Sequence, residues 1–172
     1  MQVNETLLEL FDRIPPLVRE ALEGLDQEQL VTAPAPGANT IGWLIWHLTR
    51  VQDDHITELL GQEQIWTSGD WAGHFGLDAD PSNTGYGHSE SDVATVRPDT
   101  PKVLIDYHET VAIRTRAFLQ RLEPDDLDRV VDDSWDPPVT LGVRLVSVAV
   151  DDLEHVGQAA YLRGLITNRS GE

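Results

Sequence analysis

The chain has 172 residues, a net charge of −18 at pH 7 and no cysteine, and this length fits one domain, which we expect to span residues 1–172. The acidic balance argues against nucleic acids and anionic membranes as partners, and the lack of cysteine excludes disulfides and thiolate metal ligands. No apolar stretch reaches the ~18 residues of a membrane span, and the N-terminus shows no secretion signal, so we expect a cytoplasmic protein.

The first predicted helix runs from Asn4 to about Leu25, where apolar residues recur at three- and four-residue spacing. Asn4 is the expected cap of this helix. Pro15 and Pro16 lie inside the pattern and should kink the helix or split it, because proline lacks the amide hydrogen that an interior turn donates. A loop rich in proline and glycine follows at residues 32–39.

The second predicted helix runs from about Thr40 to Leu60, with Asn39 or Thr40 as its cap and Gly61 as its terminator. Trp43 and Trp46 are expected to belong to the core.

A long irregular segment, residues 62–99, connects the second and third helices. Segments of this length in a compact domain are often functional, so we expect it to fold over one end of the domain. A short helix is expected near residues 89–95. Trp66, Trp71 and Tyr86 are candidates to line the mouth of a pocket.

Two further helices complete the predicted set. The third runs from Pro101 to about Leu122 with Thr100 as its cap, and the fourth runs from Thr140 to Ile166. The last residues, 167–172, are expected to fray. Four long amphipathic segments without strand alternation predict an all-α fold, a four-helix bundle with a long irregular connection between helices 2 and 3.

Asp151 and His155 are four residues apart on the fourth helix, so their side chains lie one above the other and can hold one cation. His47, within an apolar run of the second helix, is the best third ligand, because bundle cores build metal sites from facing helices. Such a set leaves a coordination position open, as in catalytic zinc sites, and nickel or iron would also accept it. The alternative is an Asp–His pair that only stabilises a helix surface.

Two stretches of the chain resemble signatures of the DinB/YfiT-like superfamily, and its actinobacterial branch is the most similar. The stretches are residues 39–47 and 151–164, and the order of the intervening pieces also fits. The resemblance implies a bundle, commonly dimeric, with a metal held by His47, Asp151 and His155. The usual set is three histidines, whereas the similar mycothiol-dependent maleylpyruvate isomerases have a carboxylate in the middle position, which Asp151 occupies here.

Two neighbours of the predicted site are candidates for supporting roles. Arg144 precedes Asp151 by two helical turns, and we hypothesise that it binds an anionic group of the substrate; a plain surface arginine is the alternative. Gln158 follows His155 by about one turn and is a candidate to support a metal ligand by hydrogen bonding. The remaining histidines are interpreted as ordinary surface or loop residues: His55, His74, His88 and His108.

These features favour a metal-dependent transferase or isomerase that acts on a small-molecule substrate. A divalent metal, zinc first, would be the cofactor, and a low-molecular-weight thiol of the mycothiol type the co-substrate, since some members of the superfamily use such thiols. The alternatives are a metal-dependent hydrolase and a non-enzymatic metal- or ligand-binding stress protein. A homodimer is expected from the resemblance.

Overall fold

The computed structural model describes residues 2–169 of the chain. In this range the elements in chain order are α1 (Val3–Asp12), α2 (Ile14–Leu22), α3 (Gln27–Val31), α4 (Ile41–Leu60), α5 (Ile65–Ser68), α6 (Glu90–Val93), α7 (Pro101–Leu119), β1 (Val130–Asp132), β2 (Val139–Thr140) and α8 (Leu141–Arg169). Two short 3-10 turns lie at Ala72–Phe75 and Pro124–Asp128. Within the described range, none of the helices combines the length and the apolar character that crossing a bilayer requires.

The long helices pack as a bundle, which confirms the predicted all-α architecture. α4 contacts both α7 and α8, and α2 also contacts both of them, while α1 packs on α7. Their apolar faces meet in one core, where full burial of each large side chain contributes about 1.5 to 3 kcal/mol. Core members from the four helices include Val18, Ile45, Leu48, Leu104, Val111, Leu145 and Val148.

The first predicted helix is split in two, as the two prolines indicated. The break falls at Arg13, and Pro15 and Pro16 lie in the first turn of α2, where a helix does not need the missing amide hydrogen. The predicted cap at Asn4 was wrong, because α1 begins one residue earlier, after Gln2, whose amide donates to Glu5 at 2.7 Å.

Helices α4 and α7 begin at the predicted caps. Thr40 Oγ1 accepts from the amide of Trp43 at 3.1 Å, and Thr100 caps α7 in the same way. Gly61 ends α4 with φ of 62°, a left-handed conformation that glycine adopts without a Cβ clash. The first and third helices end three residues before the predicted ends, at Leu22 and Leu119.

Several smaller elements were not predicted, namely α3, α5 and the antiparallel pair β1–β2. The short helix expected near residues 89–95 is α6, capped by Ser89. The expected fraying does not occur at residues 167–169, which continue α8, and the rest of that prediction lies outside the described residues.

Helix α8 positions the candidate site. It continues directly from β2, lies beside α4, and carries Asp151 and His155 past His47.

Candidate metal centre

The structure brings together the three predicted ligand side chains from two helices. His47 comes from α4, and Asp151 and His155 come from α8; one ligand atom from each lies within 4.8 Å of the other two. The i, i+4 spacing aligns the α8 pair on one face, and the packing of α8 on α4 supplies the third side chain.

The ring of His47 is held in one orientation by its surroundings. A backbone carbonyl can only accept, so the 2.5 Å contact between His47 Nδ1 and the carbonyl of Thr84 places a proton on Nδ1. Nε2 therefore keeps its lone pair, as metal ligation requires. Burial lowers the pKa of His47 below its usual value, which keeps this lone pair available at neutral pH. Trp43 stacks on the ring with centroids 4.5 Å apart.

The two α8 side chains carry buried polar atoms without a protein partner. Within the described residues, neither Asp151 Oδ2 nor His155 Nδ1 makes a hydrogen bond. Almost all buried polar atoms in proteins are paired, so this carboxylate oxygen and imidazole nitrogen, in one cluster with His47, fit a shared cation. Two nitrogens and one oxygen match the ligand preferences of Zn²⁺, with Ni²⁺ and Fe²⁺ also acceptable.

A cavity of about 360 Å³ opens at these side chains, a volume within the range of small-molecule sites. His47 and Asp151 form part of its wall, and Tyr86, 93% exposed, lies at its mouth as predicted. The remaining lining residues are Val51, Asp54, His55 and Thr84.

His55 lines the cavity, and its interpretation as an ordinary surface residue was wrong. Asp53 beside it is buried and Asp54 is half-buried, because the segment after α4 covers this side of the helix. Arg144 Nη1 lies 3.5 Å from His55 Nδ1 and 3.4 Å from Nε2. Burial, and then the positive charge of Arg144, lower the pKa of His55. The spacing of eight residues from His47, two helical turns on one face, is the sequence signal for this position.

The two supporting candidates have different surroundings. Arg144 binds Asp132 through Nη2 at 2.9 Å and stands beside His55. Gln158 is exposed and lines a separate groove with Leu44 and Leu162.

Two other aromatic expectations are resolved by burial. Trp43 and Trp46 are buried, which confirms their assignment to the core. Trp66 was predicted to line a pocket mouth, and this was wrong, because its ring is fully buried against Trp46, Phe75 and Tyr107. Trp71 packs on the ring of Tyr107.

The remaining histidines differ in exposure. His74 is exposed and pairs with Asp99 at 2.9 Å, as expected of a surface residue. His108 is fully buried, so its expected surface position was wrong. His88 was interpreted as an ordinary loop residue. This interpretation was incomplete, because His88 Nδ1 accepts a hydrogen bond from Trp43 Nε1 at 3.1 Å. The sequence alone reveals neither the burial of His108 nor the hydrogen bond between His88 and Trp43.

The chain is similar to known proteins over nearly its whole length. Residues 6–168 match the family model described as mycothiol-S-transferase. A crystal structure of a conserved protein from Enterococcus faecalis is 32% identical with a TM-score of 0.89, and the alignment covers 98% of this chain and 99% of the other. Among curated proteins the chain has no match.

Proposed function

This chain belongs to the mycothiol-S-transferase family, and we propose on that premise that it is a metal-dependent transferase or isomerase that uses a low-molecular-weight thiol of the mycothiol type. The observation that carries the proposal is the pair of buried, unpartnered ligand atoms on Asp151 and His155, in a cluster with His47 beside a cavity that His47 and Asp151 line. A closed structural site would have a fourth protein ligand and would need no cavity.

The proposed metal ligands are His47, Asp151 and His155, and the proposed metal is a divalent ion, with zinc favoured over nickel and iron. Three protein ligands leave a position for a small molecule. A metal held there would supply Lewis acidity, which favours the thiolate form of a thiol.

The side chains around the ligands have separate roles in the proposal. His55, whose lowered pKa leaves the imidazole neutral at pH 7, accepts the proton that the thiol gives up as its S–H bond breaks. Arg144 binds an anionic group of the substrate from beside His55, with its charge otherwise balanced by Asp132. Gln158, although exposed, remains a candidate to support His155. Tyr86 covers part of the substrate at the cavity mouth.

The proposal is tested by incubating the protein with mycothiol and a panel of electrophiles, with and without Zn²⁺. We expect thiol adducts or isomerised products that require the metal and disappear in His155→Ala, while the matched surface variant His74→Ala retains them. Metal-dependent hydrolysis of simple esters without thiol would instead favour the hydrolase alternative. Tight metal binding without turnover of any thiol would contradict the proposed activity and favour a binding protein.

The role proposed for Arg144 is tested separately by Arg144→Met. Loss of a charge-assisted hydrogen bond, worth about 1.5 to 3 kcal/mol, should raise KM for an anionic substrate roughly tenfold or more while the bound metal is retained. Arg114→Met is the control, because Arg114 lines a different groove and donates to the carbonyl of Glu63. An unchanged KM in Arg144→Met would remove Arg144 from the substrate site.

We further propose that the protein acts as a homodimer, as the resemblance to dimeric bundles implies. Light scattering of the purified chain should then give twice the 19.1 kDa mass of one chain. A mass of one chain at micromolar concentration would contradict this.

A further inference from the structure

We propose that Arg50 is a positioning residue for the metal centre: it holds residues 81–84 in place, so that the carbonyl of Thr84 fixes His47 with Nε2 directed to the cation. The inference rests on the proposed metal site, but its first readout concerns the metal-free protein.

Arg50 is a fully buried cation whose donors are directed to one segment of backbone. Its Nε donates to the carbonyl of Asn83 at 3.1 Å, and its Nη2 donates to the carbonyl of Pro81 at 2.9 Å. Nη2 also donates to the side chain of Gln64 at 2.8 Å. The planar guanidinium can bind several acceptors at once in fixed directions, so the segment 81–83 is held at two points.

The next peptide carries the acceptor for His47. Thr84 directly follows Asn83, and its carbonyl accepts from His47 Nδ1 at 2.5 Å. The following residue, Gly85, has φ of +92°, and a Cβ there would lie 2.7 Å from His47 Nδ1. The backbone therefore runs directly against the imidazole, and a small displacement of this segment would change the hydrogen bond that selects the tautomer.

A second chain of contacts, through Trp43 and His88, holds the same segment. Trp43, which stacks on His47, donates to His88 Nδ1, and this leaves His88 Nε2 as the donor to Asn83 Oδ1 at 2.9 Å. Asn83 is thus held by Arg50 through its carbonyl and by His88 through its side chain.

The position of Arg50 is itself fixed by neighbours whose hydrogen bonds do not go to residues 81–84. Asp53 lies 3.5 Å from Arg50 Nη1, and both side chains are fully buried. Tyr107 donates to Asp53 at 2.9 Å and accepts from Arg50 at 3.3 Å. This arrangement gives a matched pair of variants, because Tyr107 belongs to the same buried network but not to the path that leads to His47.

The test compares Arg50→Lys with Tyr107→Phe. Lysine keeps the charge beside Asp53, but its single nitrogen cannot reproduce the contacts of the guanidinium to Pro81, Asn83 and Gln64. The first readout is the pair of ¹⁵N shifts of the His47 ring in metal-free protein. The second is affinity for Co²⁺, measured by competition with a chromophoric chelator.

We expect wild type and Tyr107→Phe to show one tautomer of His47, protonated on Nδ1. Arg50→Lys should show averaged ring shifts and bind Co²⁺ roughly 10- to 100-fold more weakly, the usual cost of losing support for a metal ligand. Wild-type shifts and affinity in Arg50→Lys would overturn the inference, as would equal effects in Tyr107→Phe, which would indicate a general loss of stability.

A second variant keeps the test decisive if Arg50→Lys does not fold. Arg50→Met/Asp53→Asn removes both buried charges together, so that no unpaired charge remains, and it should show the same averaged tautomer. A wild-type ring signature in this variant would also overturn the inference. If wild type itself bound no Co²⁺, the proposed function would fail, while the ring shifts would still decide whether Arg50 orients His47.

Discussion

Helix α4 carries two buried polar clusters about one turn apart, and they differ in how their polar atoms are satisfied. In the closed cluster of Arg50, Asp53 and Tyr107, every nitrogen and oxygen of the side chains has a partner. In the open cluster of His47, Asp151 and His155, only the Nδ1 of His47 has a protein partner among the buried atoms described above, and two atoms have none.

The comparison separates two uses of buried polarity. The closed cluster joins α4 to α7 and to the segment after α4 and can gain nothing from a ligand. The open cluster lies beside a cavity, and its unpartnered carboxylate oxygen and imidazole nitrogen can bind a ligand. Burial alone therefore does not mark a site; the marker is burial without partners beside accessible space.

The largest expected effect is a loss of stability when a residue of the closed cluster is replaced. Asp53→Ala leaves Arg50 as an unpaired buried charge and removes the acceptor of the amides of Ile65 and Trp66. The free energy of unfolding, measured with urea, should fall by about 3 to 5 kcal/mol.

The matched control for this prediction is Asp106→Ala, which breaks the exposed pair with Lys102 and should cost below about 1 kcal/mol. Equal losses in the two variants would show that the closed cluster does not hold the segment after α4.

The next effect concerns His108, a fully buried histidine with an unpartnered Nε2 that lies outside the ligand cluster of His47, Asp151 and His155. Burial, and then the charge of Arg19, lower its pKa to about 4. Below about pH 6.5 the imidazole of His108 binds a proton in the unfolded chain but not in the folded chain. The contribution of His108 to the free energy of unfolding is therefore fully present above pH 6.5. It decreases by about 3 kcal/mol as the pH falls toward 4.

Urea unfolding between pH 7 and pH 4.5 tests this difference directly. The decline should be shallower in His108→Gln than in wild type, whereas the exposed control His74→Gln should retain the wild-type slope. His108→Gln should also keep its bound metal. Parallel curves for all three proteins would contradict the assigned protonation.

In the open cluster, the predicted effect depends on the metal. Saturating Zn²⁺ at a hundredfold excess over Kd should stabilise wild type by about 2.7 kcal/mol. His155→Ala should lose this gain and the bound metal found by elemental analysis, while its metal-free stability should stay close to that of wild type. A metal-dependent gain retained in His155→Ala would place the cation elsewhere.

The smallest effect is expected at Gly87, one of two neighbouring glycines that share a backbone conformation. Gly85 and Gly87 both have positive φ, but an added Cβ clashes with His47 only at Gly85 and meets nothing within 4 Å at Gly87. Alanine should cost about 1 to 2 kcal/mol of stability at Gly87 and more at Gly85, where the added Cβ would also lie 2.9 Å from the buried ring of Trp46. Metal affinity should fall roughly 10- to 100-fold in Gly85→Ala alone, and an equal fall in Gly87→Ala would assign the effect to backbone strain.

The sequence by itself determined the helices and the ligand pair on α8. Apolar spacing, the caps Thr40 and Thr100, and the terminator Gly61 are local signals, because they act within a few residues along the chain. The i, i+4 spacing of Asp151 and His155 is local in the same sense. The apolar run of the second helix indicates His47 as the third ligand, and the family resemblance implies the same residue.

Only the tertiary structure decided how these side chains are oriented and what surrounds them. The Thr84 carbonyl on His47, the place of His55 in the cavity and the burial of Trp66 and His108 all depend on how the irregular segment and the helices pack. These contacts join residues distant in sequence, such as Arg50 and Asn83. A single sequence has no periodic signal for such pairs, because their geometry is set by packing and by the need to pair buried polar atoms.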